Sequence, residues 1–318
     1  VISEIGSLHR VMFHEAVSRR EVEESIMSSL TTITEPAHAI EAIKACTACI
    51  RHFNYRPPWM HEVWVYHWSI KRRSIIANEM GTILSNVINQ FKGASHILVL
   101  AFSFDFSAAV FSSSVLKDTE LHRVLVDQII SLIPNTLETL SKPVTSVAQD
   151  TEREENHHPV IISPELMGMA YELLGFHVLQ LIQAFLCYDF KECVQRLHLY
   201  SNSPICFAVP KIMLKFPTNA TIQRFGIDIL RIFSVKKIDL ARLGEYAPAA
   251  LVVAVDACPH DADLLRSFCI VVGTVGSSGS EIAKDNLIKN NVHKALCNIL
   301  KTCSRDLSPI ALSAVAHL

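Results

Sequence analysis

The last third of this 318-residue chain repeats itself at a spacing of about forty residues, and this repeat constrains the fold more than any other feature. The aligned segments are 219–234 with 261–276 at an offset of 42, and 249–261 with 293–306 at an offset of 45. Within the first alignment Arg224 matches Arg266, and Asn219 matches Asp261. A unit of this length cannot bury its own apolar face, so neighbouring units must stack on one another.

Helical patterning extends over almost the whole chain. Apolar residues recur at the helical period, and no convincing run of strand alternation is present. Only 10 glycines and 13 prolines occur, which disfavours all-β chains and Gly-rich nucleotide-binding folds. Ser163-Pro164-Glu165 is a typical helix start, with a hydroxyl N-cap, a proline in the first turn and an acid beside the helix N-terminus. The sequence therefore predicts an all-α fold.

The order of helices inside the repeat is more specific. Residues 280–290 indicate a short helix, residues 291–303 a second helix, and a third helix starts near Ser308 after a polar cap. Residues 237–276 have the same order. This order resembles that of armadillo repeats, over about residues 210–318. The resemblance implies a right-handed superhelical solenoid of armadillo- or HEAT-like repeats, and HEAT repeats stay open for the first half.

One polar stretch suggests a domain boundary. Residues 141–163 are acidic, contain two prolines and lack a helical apolar stripe, so we expect a linker or loop there. The expected division is 1–140 as divergent ARM/HEAT-like N-terminal helical repeats and 164–318 as armadillo-like repeats. The chain begins with Val1 and ends within a helical pattern, so we expect a piece of a longer protein whose repeats continue.

Composition excludes several classes of function. The net charge of −2 gives no basic surplus for phosphate neutralisation, which disfavours nucleic-acid binding. Nine cysteines, an odd number and mostly within apolar stretches, favour buried thiols in a reducing, cytoplasmic compartment. Residues 97–116 are long enough to span a bilayer, but Asp105 at their centre favours buried helix over a membrane segment.

No arrangement for catalysis or for a cofactor is visible in the sequence. Cys46 and Cys49 form a lone CxxC, which lacks the second pair of ligands that structural zinc requires. The glycine-serine run 276–280 lacks the lysine of a phosphate-binding loop and is placed by the repeat in a turn. Three tryptophans within residues 59–68 suit a packed junction better than a partner anchor. We expect no enzyme activity, no cofactor and no metal.

The armadillo resemblance also implies a binding face. In that family the third helices line the concave groove, and contacts come from about the sixth, tenth and fourteenth positions after the polar cap. Carried over to this chain, these are Arg224, Asp228 and Ile232 with adjacent Arg231, then Arg266, Ile270 and Thr274, and Asn78, Thr82 and Asn86 in an early repeat. The tryptophan and asparagine ladder of karyopherin-alpha is missing from both good repeats, which puts binding of nuclear-localisation peptides in doubt.

The arginines of this face leave two outcomes open. Arg224 and Arg266 either form a basic ladder, softened by Asp228, that holds an acidic segment, or pair with acids of their own solenoid. We expect a non-enzymatic scaffold that binds a protein or extended peptide through its concave face, within a larger complex. The alternatives are a regulatory or targeting arm of a multidomain enzyme, such as a kinase or ubiquitin ligase, and a structural subunit of a cytoskeletal or ciliary assembly.

Overall fold

The computed structural model describes residues 35–53, 93–112, 125–141, 163–199, 205–278, 280–302 and 306–318. Across these ranges the regular structure is helical and no strand occurs, which confirms the predicted all-α class. The helices are α1 (Pro36–Phe53), α2 (Gly93–Phe111), α3 (Ile133–Ser141), α4 (Pro164–Tyr188), α5 (Phe190–Leu199), α6 (Ile205–Lys215), α7 (Ala220–Val235), α8 (Leu240–Tyr246), α9 (Pro248–Ala257), α10 (Ala262–Gly276), α11 (Glu281–Lys289), α12 (Val292–Thr302) and α13 (Ser308–Ala316). A π-helical turn, Leu125–Ile129, and a 3₁₀ turn, Ile130–Leu132, lead directly into α3.

The chain divides into two compact units. Unit 1 contains residues 1–133 and 144–196, and unit 2 contains residues 134–143 and 197–318. This division differs from the predicted one, because α4 packs against α2 and so belongs with the N-terminal part of the chain. The predicted linker lies outside the described residues, apart from its two ends. At its C-terminal end Ser163 caps α4 by accepting a hydrogen bond from the Leu166 N–H, as predicted.

The core of unit 1 is built around α2, which packs against both α1 and α4. Nearly every side chain from Val99 to Phe111 is buried, and a helix that is apolar on all sides is typical of a core position. The described part of the 97–116 segment is therefore buried helix. Within the described ranges, Glu165–Tyr188 of α4 is long and apolar enough to cross a membrane, and most of that stretch is buried in the protein.

Unit 2 shows a regular order of helix contacts. Each helix from α6 to α10 packs against the helix three positions later, which gives the series α6–α9–α12, α7–α10–α13 and α8–α11. Polar side chains cap three of these helices, whereas α13, which was predicted to follow a polar cap, begins after Leu307 without a side-chain cap hydrogen bond. Asn219 accepts hydrogen bonds from the Thr221 and Ile222 N–H groups, Asp261 from that of Leu264, and Ser280 from that of Ala283.

Small residues allow these helices to approach closely. A Cβ added at Gly244 of α8 would collide with the Cα and Cβ of Ala283 on α11. A Cβ at Gly276, the last residue of α10, would lie 2.8 Å from the carbonyl oxygen of His317. Glycine at both positions therefore sets the distance between helices that are three apart in the chain.

Candidate protein-interaction surface

Most residues of the predicted binding face lie on α7 and α10, which pack against each other in unit 2. We call this part of the face the α7–α10 surface. Arg224 and Arg266 are exposed, and the other members are partly exposed. It consists of Arg224, Asp228, Arg231 and Ile232 on α7, and of Arg266, Ile270 and Thr274 on α10.

Arg224 is bound by the helix cap of α10. Its Nε donates to a carboxylate oxygen of Asp261, whose other oxygen accepts a hydrogen bond from the Leu264 N–H at 3.2 Å. Burial raises the pKa of Asp261, but the hydrogen bonds from Arg224 and Leu264 outweigh it and hold that pKa below the ordinary value. The hydrogen bond to Asp261 also raises the pKa of Arg224. The carboxylate thus links the two helices while it caps one of them.

Asp228 forms a second link between the same helices. Its Oδ1 accepts a hydrogen bond from Ser267 Oγ of α10 at 3.1 Å and lies 3.4 Å from Arg231 Nε on its own helix. The Asp228 side chain is about one-third exposed, at 34%, so it remains accessible from one side. Asp228 and Arg231 therefore neutralise each other before any partner is present.

The three arginines of the predicted face differ in their ion pairing, although nothing in the sequence distinguishes them. Arg224 and Arg231 pair with acids of their own chain, whereas Arg266 is exposed and has no ion pair among the described residues. The structure therefore does not show a ladder of several free cations on this surface. The early-repeat residues of the prediction, Asn78, Thr82 and Asn86, lie outside the described residues.

A second polar cluster, in unit 1, has no counterpart in the predicted site. Arg51 of α1 forms an ion pair with Asp105 of α2, and His177 Nδ1 of α4 lies 3.5 Å from the same carboxylate oxygen. The side chains of Asp105 and His177 are only 10% and 7% exposed. Asp105 was the one signal available from the sequence, as a carboxylate within an apolar run, but nothing local identified its partners.

Metal and thiol chemistry find little support in the described part of the chain. No group of three His, Cys, Asp or Glu side chains is placed there to hold a metal ion. Of the seven cysteines whose side chains the structure describes, five are buried, and burial raises the pKa of Cys206 to about 12. Thiols with raised pKa values are poor nucleophiles at neutral pH. The glycine-serine run after α10 is a turn as predicted, since Ser277 and Ser278 follow Gly276 and Ser280 caps α11.

Comparisons with known proteins do not assign the chain to a family. No protein-family model, curated protein or solved structure matches it.

Proposed function

We propose that the chain is a non-enzymatic interaction scaffold. In this proposal unit 2 is a right-handed stack of armadillo-like repeats, and its α7–α10 surface binds an extended segment of a partner protein. The packing of each helix against the helix three positions later supports the stack, because three-helix repeats place equivalent helices side by side. The matching polar caps of α7 and α10 support the same register.

The observation that carries the binding proposal is the pair of links across the α7–α10 surface. Arg224 to Asp261 and Ser267 to Asp228 both join α7 to α10. These contacts restrain the side chains before a partner arrives. Binding then loses less conformational entropy than it would on a surface of unrestrained side chains. Ile232, Ile270 and Thr274 lie partly exposed along the same helices and offer apolar and hydroxyl contacts.

Charge indicates the chemistry of the partner. Unit 2 contains 14 Lys and Arg residues against 10 Asp and Glu, so it carries a positive excess. Arg266 is the exposed arginine of the surface that no described acid neutralises. A carboxylate of the partner opposite Arg266 would form a charge-assisted hydrogen bond worth about 1.5–3 kcal/mol. We therefore propose an extended segment with at least one acidic residue.

A random-peptide display library selected on the full chain tests this function. Enriched peptides would be measured by fluorescence anisotropy against the wild type, Arg266→Ala and the matched control Arg242→Ala. Arg242 lies on α8, pairs with Asp239 and is not a member of the α7–α10 surface. We expect enriched peptides to contain acidic residues, and Arg266→Ala to weaken their binding about tenfold or more, a loss of about 1.4 kcal/mol.

The control variant separates a local effect of Arg266 from a general effect of charge. Arg242→Ala is expected to bind within about twofold of the wild type, since it removes the same charge without touching the surface. Circular dichroism melts would verify that both variants fold. No enrichment over an unrelated control protein, or equal affinity of Arg266→Ala and wild type, would refute the proposed surface.

A further inference from the structure

Three helices of unit 1 meet at one buried carboxylate. Asp105 lies in the middle of α2, receives the guanidinium of Arg51 from α1, and faces His177 from α4. Arg51 is 53% exposed, whereas the other two side chains are almost entirely buried. We call Arg51, Asp105 and His177 the α1–α2–α4 cluster.

The surroundings of His177 define where its protons reside. Nδ1 lies 3.1 Å from Gln180 Oε1 and 3.5 Å from Asp105 Oδ1, and both of these atoms are acceptors. Nδ1 therefore carries the proton of the neutral ring, and Nε2 is the nitrogen that takes up a second proton. The ring packs against two aromatic rings, with centroid distances of 5.9 Å to Phe102 and 4.5 Å to Phe176.

The charged groups around His177 compete for a single carboxylate. Asp105 from α2 attracts the imidazolium form, and Arg51 from α1 repels it. Lys44, also on α1, lies over the Phe102 ring at 4.7 Å from its centroid, and its charge is paired with Glu41 of the same helix at 2.8 Å. One carboxylate cannot fully compensate both Arg51 and a buried imidazolium, because an uncompensated buried charge is strongly unfavourable.

We propose that the α1–α2–α4 cluster is a pH-sensitive latch, in which protonation of His177 draws Asp105 away from Arg51 and releases the C-terminal end of α1 from α2. Arg51 can leave because half of its side chain already contacts solvent and the rest gains hydration on release. His177 has no such route, since its ring is enclosed by α2 and α4. The mobile member of the cluster is therefore the arginine on α1.

The pH range follows from the direction of the histidine shift. Burial lowers the pKa of His177 below its ordinary value, and Arg51 lowers it further, against the opposing effects of Asp105 and Gln180. A histidine whose folded pKa is lowered contributes full stability above its unfolded pKa of about 6.5 and loses it as the pH falls from there toward the folded pKa. The latch is thus closed at neutral pH and opens in mildly acidic solution.

Thiol accessibility on α1 reports the state of the latch. Cys46 is a buried residue of α1 at 3% exposure, and Cys297 in unit 2 is exposed and serves as the internal reference. Both would be labelled in the full chain with 4,4′-dithiodipyridine, and the labelled peptides quantified by mass spectrometry. Between about pH 7.5 and about pH 5.5 we expect the Cys46-to-Cys297 rate ratio of the wild type to rise about tenfold, because about pH 5.5 lies about one pH unit below the ordinary histidine pKa of about 6.5, which the imidazole regains when the latch opens.

Three variants give the latch a distinctive signature. His177→Gln should keep the ratio low at both pH values, because no imidazolium can form. Arg51→Gln should keep it high at both, because the link to α2 is absent. The matched control Lys44→Gln removes a charge from the same helix without touching Asp105 and should switch like the wild type. A ratio independent of pH in the wild type would overturn the proposal, as would wild-type switching in either His177→Gln or Arg51→Gln.

Discussion

Two arginine–aspartate pairs, one in each unit, have similar side-chain exposures, but the groups that surround the two carboxylates differ. Asp105 and Asp261 are 10% and 12% exposed, and their partners Arg51 and Arg224 are 53% and 65% exposed. Asp261 stands at a helix N-terminus, where backbone N–H groups are available to it. Asp105 stands in the middle of α2, where the backbone N–H groups are already used within the helix.

The comparison shows that the position of a carboxylate along a helix decides how far it depends on its arginine. Asp261 keeps the Leu264 N–H as a donor and the favourable field of the α10 dipole if Arg224 is removed. If Arg51 is removed, Asp105 retains only the contact with His177 Nδ1, and that nitrogen also lies within hydrogen-bond distance of Gln180 Oε1. Equal exposure therefore does not imply equal energetic importance.

The largest expected effect is the loss of Arg51. Arg51→Met leaves Asp105 buried without its cation, and we expect the free energy of unfolding of unit 1 to fall by about 2–3 kcal/mol at neutral pH, less than for a fully buried pair because Arg51 is half exposed. Urea unfolding followed by circular dichroism measures the change. The matched variant Arg224→Met should lose clearly less, and an equal or greater loss there would reverse the comparison.

The cap function of Asp261 gives the next largest effect. Asp261→Ala removes the side-chain acceptor at the start of α10, and we expect a loss of about 1 kcal/mol, typical of N-cap replacement. Asn219→Ala, at the equivalent cap of α7, is the internal standard. The two losses, measured by urea unfolding, should agree to within the contribution of the Arg224 ion pair. A negligible loss in Asp261→Ala would show that the cap contributes nothing to the stability of α10.

The smallest effect concerns charge alone. Asp261→Asn keeps a capping oxygen but removes the ion pair, and we expect it to cost less than about 1 kcal/mol at pH 7, as for other exposed pairs. The folded pKa of Asp261 is lowered, so the wild-type advantage is present above the unfolded pKa of about 3.9 and is lost as the pH falls through the folded value. Unfolding measured between about pH 7 and about pH 3 should show the two proteins converge in acid. A constant difference across that range would exclude the ionised carboxylate as its source.

Local features of the fold could be predicted from the sequence because their causes are local. The caps at Ser163, Asn219, Asp261 and Ser280 follow from residue type and from the apolar pattern just beyond each cap. The succession of α11, α12 and the start of α13 follows from the same rules. The equivalence of Arg224 and Arg266 came from the repeat alone.

Contacts between distant segments could not be predicted in this way. The ion pair between Arg51 and Asp105 spans 54 residues, and no periodicity relates α1 to α2. Arg224 and Arg266 look equivalent in the alignment, yet only Arg224 finds an acid, because α10 begins with an aspartate whereas α13 has Leu307 at its cap. The packing of α4 on α2 likewise joins segments far apart in the chain and has no signal in the intervening residues.

The glycines at the helix contacts of unit 2 restrict how this sequence can vary over time. At Gly273 a Cβ would lie 3.5 Å from the Cα of Ala314, an ordinary van der Waals distance, so alanine fits without moving α13. At Gly276 the same atom would press on a backbone carbonyl oxygen, and at Gly244 on the backbone of α11, neither of which can rotate away as a side chain can. Two glycines of one helix, less than a turn apart, are therefore under unequal constraint. Gly273 can be replaced by a residue with a small side chain, whereas replacement of Gly244 or Gly276 requires the facing helix to move or to change in sequence as well.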